Sequence, residues 1–382
     1  MDFSELILFE DEMTASTVPG MDISVTVDGR EVFRRQSGYS DIESGTKMRG
    51  DELFFLWSGT KLITSSLGMR LVEEGRLDLD APVYEYLPEY RSLTVRTVTD
   101  GREEIHTAGN TMLVSQLFSM TAGFDYNFAS PEIADIRRRT DGHCPTREIV
   151  KAIAKMPLSF EPGTHFEYSK CHDVLGAVIE VVTGKRLRDY ARETLFDPLG
   201  MNDTFYGQPN DSQQARMATQ YLWRGDLGKA VPTKKVCNMI LGDEYDSGGA
   251  GVVTSCDDYM KFASVLACGG TAKNGYRYLK PETVEKWANG APLNAIQQAE
   301  FEGKWGMGHT YGYGVRRIVD HRAFDADDRY NDFGWGGAAG MRVHISPDAH
   351  VSAILLTHIL ELPDARLFEK RFRNTVFRCL TK

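Results

Sequence analysis

The strongest constraint on the fold is where strand-like sequence lies: at both ends of the chain, with helix-like sequence between. Near the N-terminus MDISVTV (residues 21–27) alternates in character, Asp28-Gly29 suits a two-residue turn, and EVFRRQSGY (31–39) returns, the pattern of a β-hairpin. Strand-like runs reappear at Tyr313–Val319, Met341–Ile345 and His350–Thr357. Between residues 76 and about 235 the spacing is helical, as at Met112–Met120 and Asp173–Thr183, with long loops broken by Pro and Gly. The expected architecture is α+β. An antiparallel sheet is built from both chain ends (1–75 and 245–382) and flanked by helices, two of them at 3–16 and 364–380, with a mainly helical region (76–244) inserted.

Composition bounds the partners. The chain of 382 residues carries 44 Lys plus Arg against 54 Asp plus Glu, a net charge of −10, and 42% of it is hydrophobic. Those values fit a globular chain with room for a large core. An acidic chain without a Lys/Arg run repels phosphate backbones, so no nucleic-acid partner is expected. There is no Lys or Arg before Arg30, unlike a secretory leader, and the apolar bursts Leu53–Trp57 and Ala353–Leu356 are too short to span a bilayer. The expectation is a cytoplasmic protein without a membrane segment. The cysteines at 144, 171, 237, 256, 268 and 379 form no C-x-x-C pair and read as thiols.

H-E-x-x-H, G-x-S-x-G and the phosphate-binding G-x-x-x-x-G-K-[ST] are all absent. Gly334-x-Gly336-x-x-Ala339 precedes strand-like MRVHISPD rather than a helix, so it is not a dinucleotide site, and no cofactor is expected. Asp325, Asp327, Asp328 and Asp332 lack the spacing of a calcium loop and read as a solvated acidic segment; no metal is expected.

Ser-Gly-Thr-Lys occurs twice, at 44–47 and 58–61. Ser44 lies in a polar turn with Glu43, Gly45 and Gly50. Ser58 follows the apolar Phe54–Trp57 and opens a helix whose Ile63, Leu67 and Leu71 share a face. On that helix Ser58 and Lys61 are three apart and in reach of each other. A serine hydroxyl needs a base beside it to act as a nucleophile. The helix N-terminus and burial are both expected to lower the Lys61 pKa toward that of a base. The alternative is an N-cap serine beside a surface lysine.

Further motifs bear on that choice: Glu161-Pro162-Gly163 before Phe166-Glu167-Tyr168-Ser169-Lys170, Asp173-Val174-Leu175-Gly176, Pro198–Thr204, Gly248–Thr254 with Asp257, and Gly334-Trp335-Gly336-Gly337-Ala338. In this order and spacing the chain resembles the serine β-lactamase-like superfamily, in particular its class C β-lactamase and family VIII carboxylesterase branch. The resemblance covers most of the chain and implies the β-lactamase/transpeptidase-like fold. It implies Ser58 as acyl-accepting nucleophile, Lys61 as neighbouring base and Tyr168 as the partner in proton transfer. The N–H groups of Ser58 and Ala338 would form the oxyanion hole. Gly336 and Gly337 would let substrate approach the backbone.

Two departures shape the expected substrate. Lys170 stands where the lactamases have the Asn of Y-x-N, and Trp335 stands where they have the Lys or His of K-T-G or H-x-G. An indole cannot hold a lactam carboxylate, so Trp335 is expected as an apolar wall and Lys170 as a substrate-binding residue that recovers some anion binding or else points to solvent. The expected function is a serine hydrolase acting as a carboxylesterase on small, neutral esters, with an ester or amide small molecule as its partner. The alternatives are a β-lactamase or D-amino-acid peptidase using the same serine, and a non-catalytic binding or assembly protein on the same scaffold. His165 and His172 read as structural; Phe124, Tyr126, Phe128 and Tyr313 read equally as cleft or core.

Overall fold

The computed structural model describes residues 1–233, 239–290, 292–326 and 330–381; Cys237, Asp327 and Asp328 lie outside the described residues. Among the described residues the central sheet has eight strands in the order His309–Tyr311, Arg316–Ile318, Phe333–Gly336, Arg342–Ser346, Val351–Thr357, Gly20–Val27, Arg30–Asp41 and Thr46–Lys47, each neighbouring pair antiparallel. The two chain ends meet in its middle, with Met21 opposite Thr357 and Val27 opposite Val351. Asp28 and Gly29 have φ of +49° and +67°, the backbone that a tight hairpin turn matching strand twist requires.

Strand alternation sends the two faces of the sheet to different cores. Met21, Ile23, Val25, Ala353 and Leu355 point to one side, where Leu6 and Phe9 of helix Ser4–Ser16 and Phe368, Phe372 and Val376 of helix Ala365–Thr381 cover them. On the other side Val343, Ile345, Ile354 and Leu356 join the larger core. Helix Cys256–Ala267 lies across the strands there, and helices Thr60–Glu73 and Cys171–Thr183 pack on each other beyond it.

The middle of the chain departs from the mainly helical expectation. Besides helices such as Pro131–Arg139, Thr146–Ile153 and Cys171–Thr183 it holds two antiparallel hairpins, Thr94–Thr99 with Arg102–Thr107 and Tyr221–Arg224 with Lys229–Pro232. The first turns at Asp100-Gly101, both at positive φ, so the signal was the Thr/Val alternation around Asp-Gly. The strand expected at Tyr313–Val319 covers only Arg316–Ile318. Gly312 to Val315 forms a turn with Gly314 at φ +86°, and the partner strand lies upstream at His309–Tyr311. No helix among the described residues is long and apolar enough to cross a membrane.

Candidate active site

A short sheet of Phe54–Phe55, Val252–Thr254 and Phe205–Tyr206 sets the turn that carries Ser58 beside the glycine-rich loop 247–251. Trp57 enters that turn at φ +50°, a conformation that costs a bulky residue about 1–3 kcal/mol. Its side chain is held among Ala250, Ala339 and Leu360. A single 3₁₀ turn, Trp57–Gly59, then opens helix Thr60–Glu73. Two glycines let the turn meet the end of strand Phe333–Gly336. A Cβ on Gly337 would sit 2.2 Å from the Leu56 carbonyl oxygen, and one on Gly59 2.9 Å from the Met341 sulfur.

Lys61, one turn into the helix, is fully buried. Its three N–H directions go to the Gly249 carbonyl (2.8 Å), the Tyr126 hydroxyl (3.2 Å) and Ser58 Oγ (3.3 Å), and its Nζ lies 4.6 Å from the centre of the Tyr168 ring. The expected lowering of the Lys61 pKa is therefore corrected. Burial pulls the ammonium down, but the phenol oxygens of Tyr126 and Tyr168 and the Asp173 carboxylate outweigh it, and the net shift is upward. Lys61 stands as an ammonium that donates to the serine.

Tyr168 is held by aromatic neighbours. Tyr126 stacks on it at 5.7 Å, Trp305 meets it edge-on at 5.3 Å, and the Trp335 indole N–H donates to its hydroxyl at 3.0 Å. Burial pushes the Tyr126 phenol up to about 12, so it is neutral. Trp335 is nearly buried, against Tyr168, Trp305 and Tyr311; its polar edge serves Tyr168 while the ring lines the cavity.

Behind Lys61 lies Asp173, buried in the first turn of helix Cys171–Thr183. Its Oδ1 accepts from the Tyr245 hydroxyl and the Ser247 hydroxyl, each at 2.7 Å, and from the Gly249 N–H at 3.4 Å. All three donors are neutral. Gly249 thus meets the carboxylate through its N–H and the Lys61 ammonium through its carbonyl, two consecutive peptide groups joined at its Cα. A Cβ at Gly249 would approach Asp173 Oδ2 to 2.8 Å, so glycine is needed for this approach. Asp173 and Tyr126 are missed as partners of Lys61 by sequence reasoning. The signal for Asp173 was a lone carboxylate directly before the apolar run Val174–Ile179.

Ser58, Tyr168, Trp335, Gly336, Gly337 and Ala338 line one cavity of about 380 Å³. The turn after Gly337 closes on itself, Gly337 N–H to the Met341 carbonyl and Gly340 N–H to the Gly337 carbonyl. Ala338, between them, is exposed.

Lys170 does not join this cavity, which corrects its reading as a substrate-binding residue. It is buried, with Nζ donating to Asp125 Oδ1 at 2.6 Å and the Asn127 carbonyl at 2.8 Å, and it points neither to solvent nor to Ser58. Its charge is spent on the loop that carries Tyr126. The second Ser-Gly-Thr-Lys copy is in an exposed turn, where Ser44 pairs with the Thr46 hydroxyl at 2.7 Å. His165 contacts Glu300, and His172 is buried at the Phe118 carbonyl. Of the acidic segment, Asp332 is bound to Arg373 and His344, and Asp325 to Lys370.

Comparison with known proteins adds the lineage. A profile of the family described as Beta-lactamase matches residues 8–374. The chain belongs to the Beta-lactamase family. Among its relatives, Protein Rv1367c of Mycobacterium tuberculosis is 29% identical, the match covering 86% of this chain and 82% of that one. Esterase EstB of Burkholderia gladioli is 29% identical, covering 92% and 88%. The solved structure of EstCE1, a hydrolase with promiscuous acyltransferase activity, superposes with a TM-score of 0.79 at 23% identity over 98% of this chain and 97% of that one. The chain is accordingly a Beta-lactamase-fold enzyme of the serine hydrolase kind.

Proposed function

We propose that the protein is a carboxylesterase working through an acyl-Ser58 intermediate. The observation that carries this is the contact of a buried Lys61 ammonium with Ser58 Oγ at 3.3 Å, beside a Tyr168 whose hydroxyl accepts from Trp335. Because Lys61 donates, it holds charge, and Tyr168 moves the protons. The reactive form has Tyr168 as the phenolate: Ser58 Oγ attacks the ester carbonyl carbon as its proton passes to the Tyr168 oxygen. The Ser58 and Ala338 N–H groups receive the oxyanion. The tetrahedral adduct collapses, the C–O bond to the alcohol breaks, and Tyr168 returns the proton to the departing oxygen. Water then gives a proton to Tyr168 and attacks the acyl carbon; this second adduct collapses, the bond from the acyl carbon to Ser58 Oγ breaks, and Tyr168 returns the proton to Oγ, releasing the acid and restoring both residues. The Lys61 ammonium favours the phenolate form of Tyr168 at each transfer, and Asp173 acts as a positioning residue for Lys61 through Gly249. Kinship with an esterase and the indole at position 335, where the lactamases carry a cation, support an ester over a lactam.

The test is to offer 4-nitrophenyl esters, a chromogenic cephalosporin and a serine-directed fluorophosphonate, locating any adduct by mass. Ester turnover and labelling that both vanish in Ser58→Ala are expected. Cephalosporin hydrolysis faster than ester hydrolysis overturns the reading in favour of a lactamase, and absence of both turnover and labelling overturns it in favour of a binding protein.

A further inference from the structure

Beyond Tyr168 and the glycine edge, the cavity has a wall of another character. Four cations line it, Lys304, Arg316, Arg342 and Arg366, against one carboxylate among the described lining residues, Glu369. This is a local excess of positive charge in a chain whose net charge is −10.

How the four are held shows which charges are left over. Arg316 is paired with Glu369, and Arg342 Nε reaches the same carboxylate only at 3.5 Å. Arg342 is almost wholly buried; it donates to the Met341 carbonyl at 2.7 Å, and its Nε has no hydrogen-bond partner among the described residues. Arg366 donates from Nη2 to the carbonyls of Gly303 and Lys304, neutral acceptors that leave its charge in place. Lys304 is exposed, forms no ion pair with a described residue, and has its Nζ 5.9 Å from the Tyr168 ring centre. His309 is buried on the same wall with Nδ1 unpartnered, and burial together with Arg316 holds it down at about 3, so it is neutral and does not compete for an anion.

Burying guanidinium groups without matching carboxylates is costly unless an anion completes the site. Arg342 Nη1 lies 3.4 Å from the Gly337 carbonyl, one residue from Ala338, so the charge adjoins the place where the ester carbonyl would sit. We propose that this wall is a subsite for a carboxylate, and that the substrate is an ester bearing a free carboxylate on its acyl or alcohol part. The inference rests on the esterase reading above and revises the expectation of a wholly neutral ester. The charge absent at Trp335 is supplied from the neighbouring strands and from the ends of helices Ala295–Trp305 and Ala365–Thr381.

Two matched pairs of esters test it: 4-acetoxybenzoate against its methyl ester, which charges the alcohol part, and mono-4-nitrophenyl glutarate against 4-nitrophenyl valerate, which charges the acyl part. In at least one pair kcat/KM at low ionic strength is expected to favour the anion tenfold or more, with the preference shrinking as salt is added. The ratio is expected to fall at least fivefold in a Lys304→Ala, Arg366→Ala double variant, both side chains being exposed, and to survive in Lys304→Arg. A preference for the neutral ester in both pairs, or an anion preference untouched by the double variant, overturns the subsite while leaving the esterase reading in place. Absence of turnover of all four esters with no labelling of Ser58 overturns the esterase reading, and the subsite with it.

Discussion

The Trp335 indole donates its N–H to the hydroxyl of Tyr168 at 3.0 Å, so the residue that replaces a lactamase cation is bonded to the group proposed to carry the proton. A donor on that oxygen favours the phenolate over the phenol. Trp335→Phe keeps an aromatic ring there and removes the donor, with some loss of the indole's packing against Trp305 and Tyr311. A hydrogen bond to a charged oxygen contributes about 1.5–3 kcal/mol, so kcat/KM is expected to fall roughly tenfold to a hundredfold. A kcat/KM within about twofold of the parent would remove the Trp335 donor from the proton pathway.

Asp173 and Lys61 both bond to Gly249, one at its N–H and the other at its carbonyl, and the Asp173 charge is among the causes that raise the Lys61 ammonium. A raised lysine is fully charged below its ordinary range and loses its charge only as pH climbs through the raised value. Taking the carboxylate away lowers that point. Asp173→Asn is therefore expected to move the alkaline limb of kcat to lower pH and to cut kcat by about tenfold or more. A thermal melt alongside separates this from simple misfolding, because loss of packing alone lowers Tm without moving the limb.

What was legible in the sequence and what was not divides on distance along the chain. Ser58 and Lys61 are three residues apart on a helix, so their meeting follows from helix geometry. The hairpin at Asp28-Gly29 is likewise a local matter. The protonation of Lys61 was misread because its acceptors, Tyr126 and the Gly249 carbonyl, come from 65 and 188 residues away, and local reasoning about dipole and burial sees neither. Lys170 was misread for the same reason. Adjacent to Tyr168 in sequence, it turns the other way because Asp125 and Asn127 offer it acceptors. The cationic wall draws on four separate segments with no shared motif, so no pattern announces it.

Lys170 as a brace rather than a binding residue has its own signature. Its Nζ is buried while Asp125 is 39% exposed, so solvent discounts the pair and Lys170→Met is expected to cost about 1–3 kcal/mol of stability, read as a lower Tm. The kcat/KM ratio of an anionic ester to its neutral partner should stay as it is in the parent, because Lys170 does not reach the cavity. A collapse of that ratio with Tm intact would return Lys170 to the substrate.

The seam between the N-terminal helix and the sheet carries a pH dependence of opposite sense to ordinary acid unfolding. Glu10 is wholly buried, accepts from Arg35 at 3.0 Å through one oxygen, and leaves the other unpartnered. Burial pushes its carboxyl up to about 7 despite Arg35, and Asp22, buried beside Arg34, is pushed up to about 7 as well. Between the unfolded value near 4.5 and about 7 the folded state binds more protons than the unfolded chain, so stability falls as pH rises through that window. Glu10→Gln removes the charge that is costly above it, while Arg35 keeps Asp11 as a partner at 2.6 Å. The variant is expected to match the parent in Tm near pH 4.5 and to exceed it at pH 8, by a margin on the order of 1–3 kcal/mol in stability. Melts at the two pH values decide it: a variant less stable than the parent at pH 8 would mean that the Arg35 pair outweighs the burial of the Glu10 carboxylate.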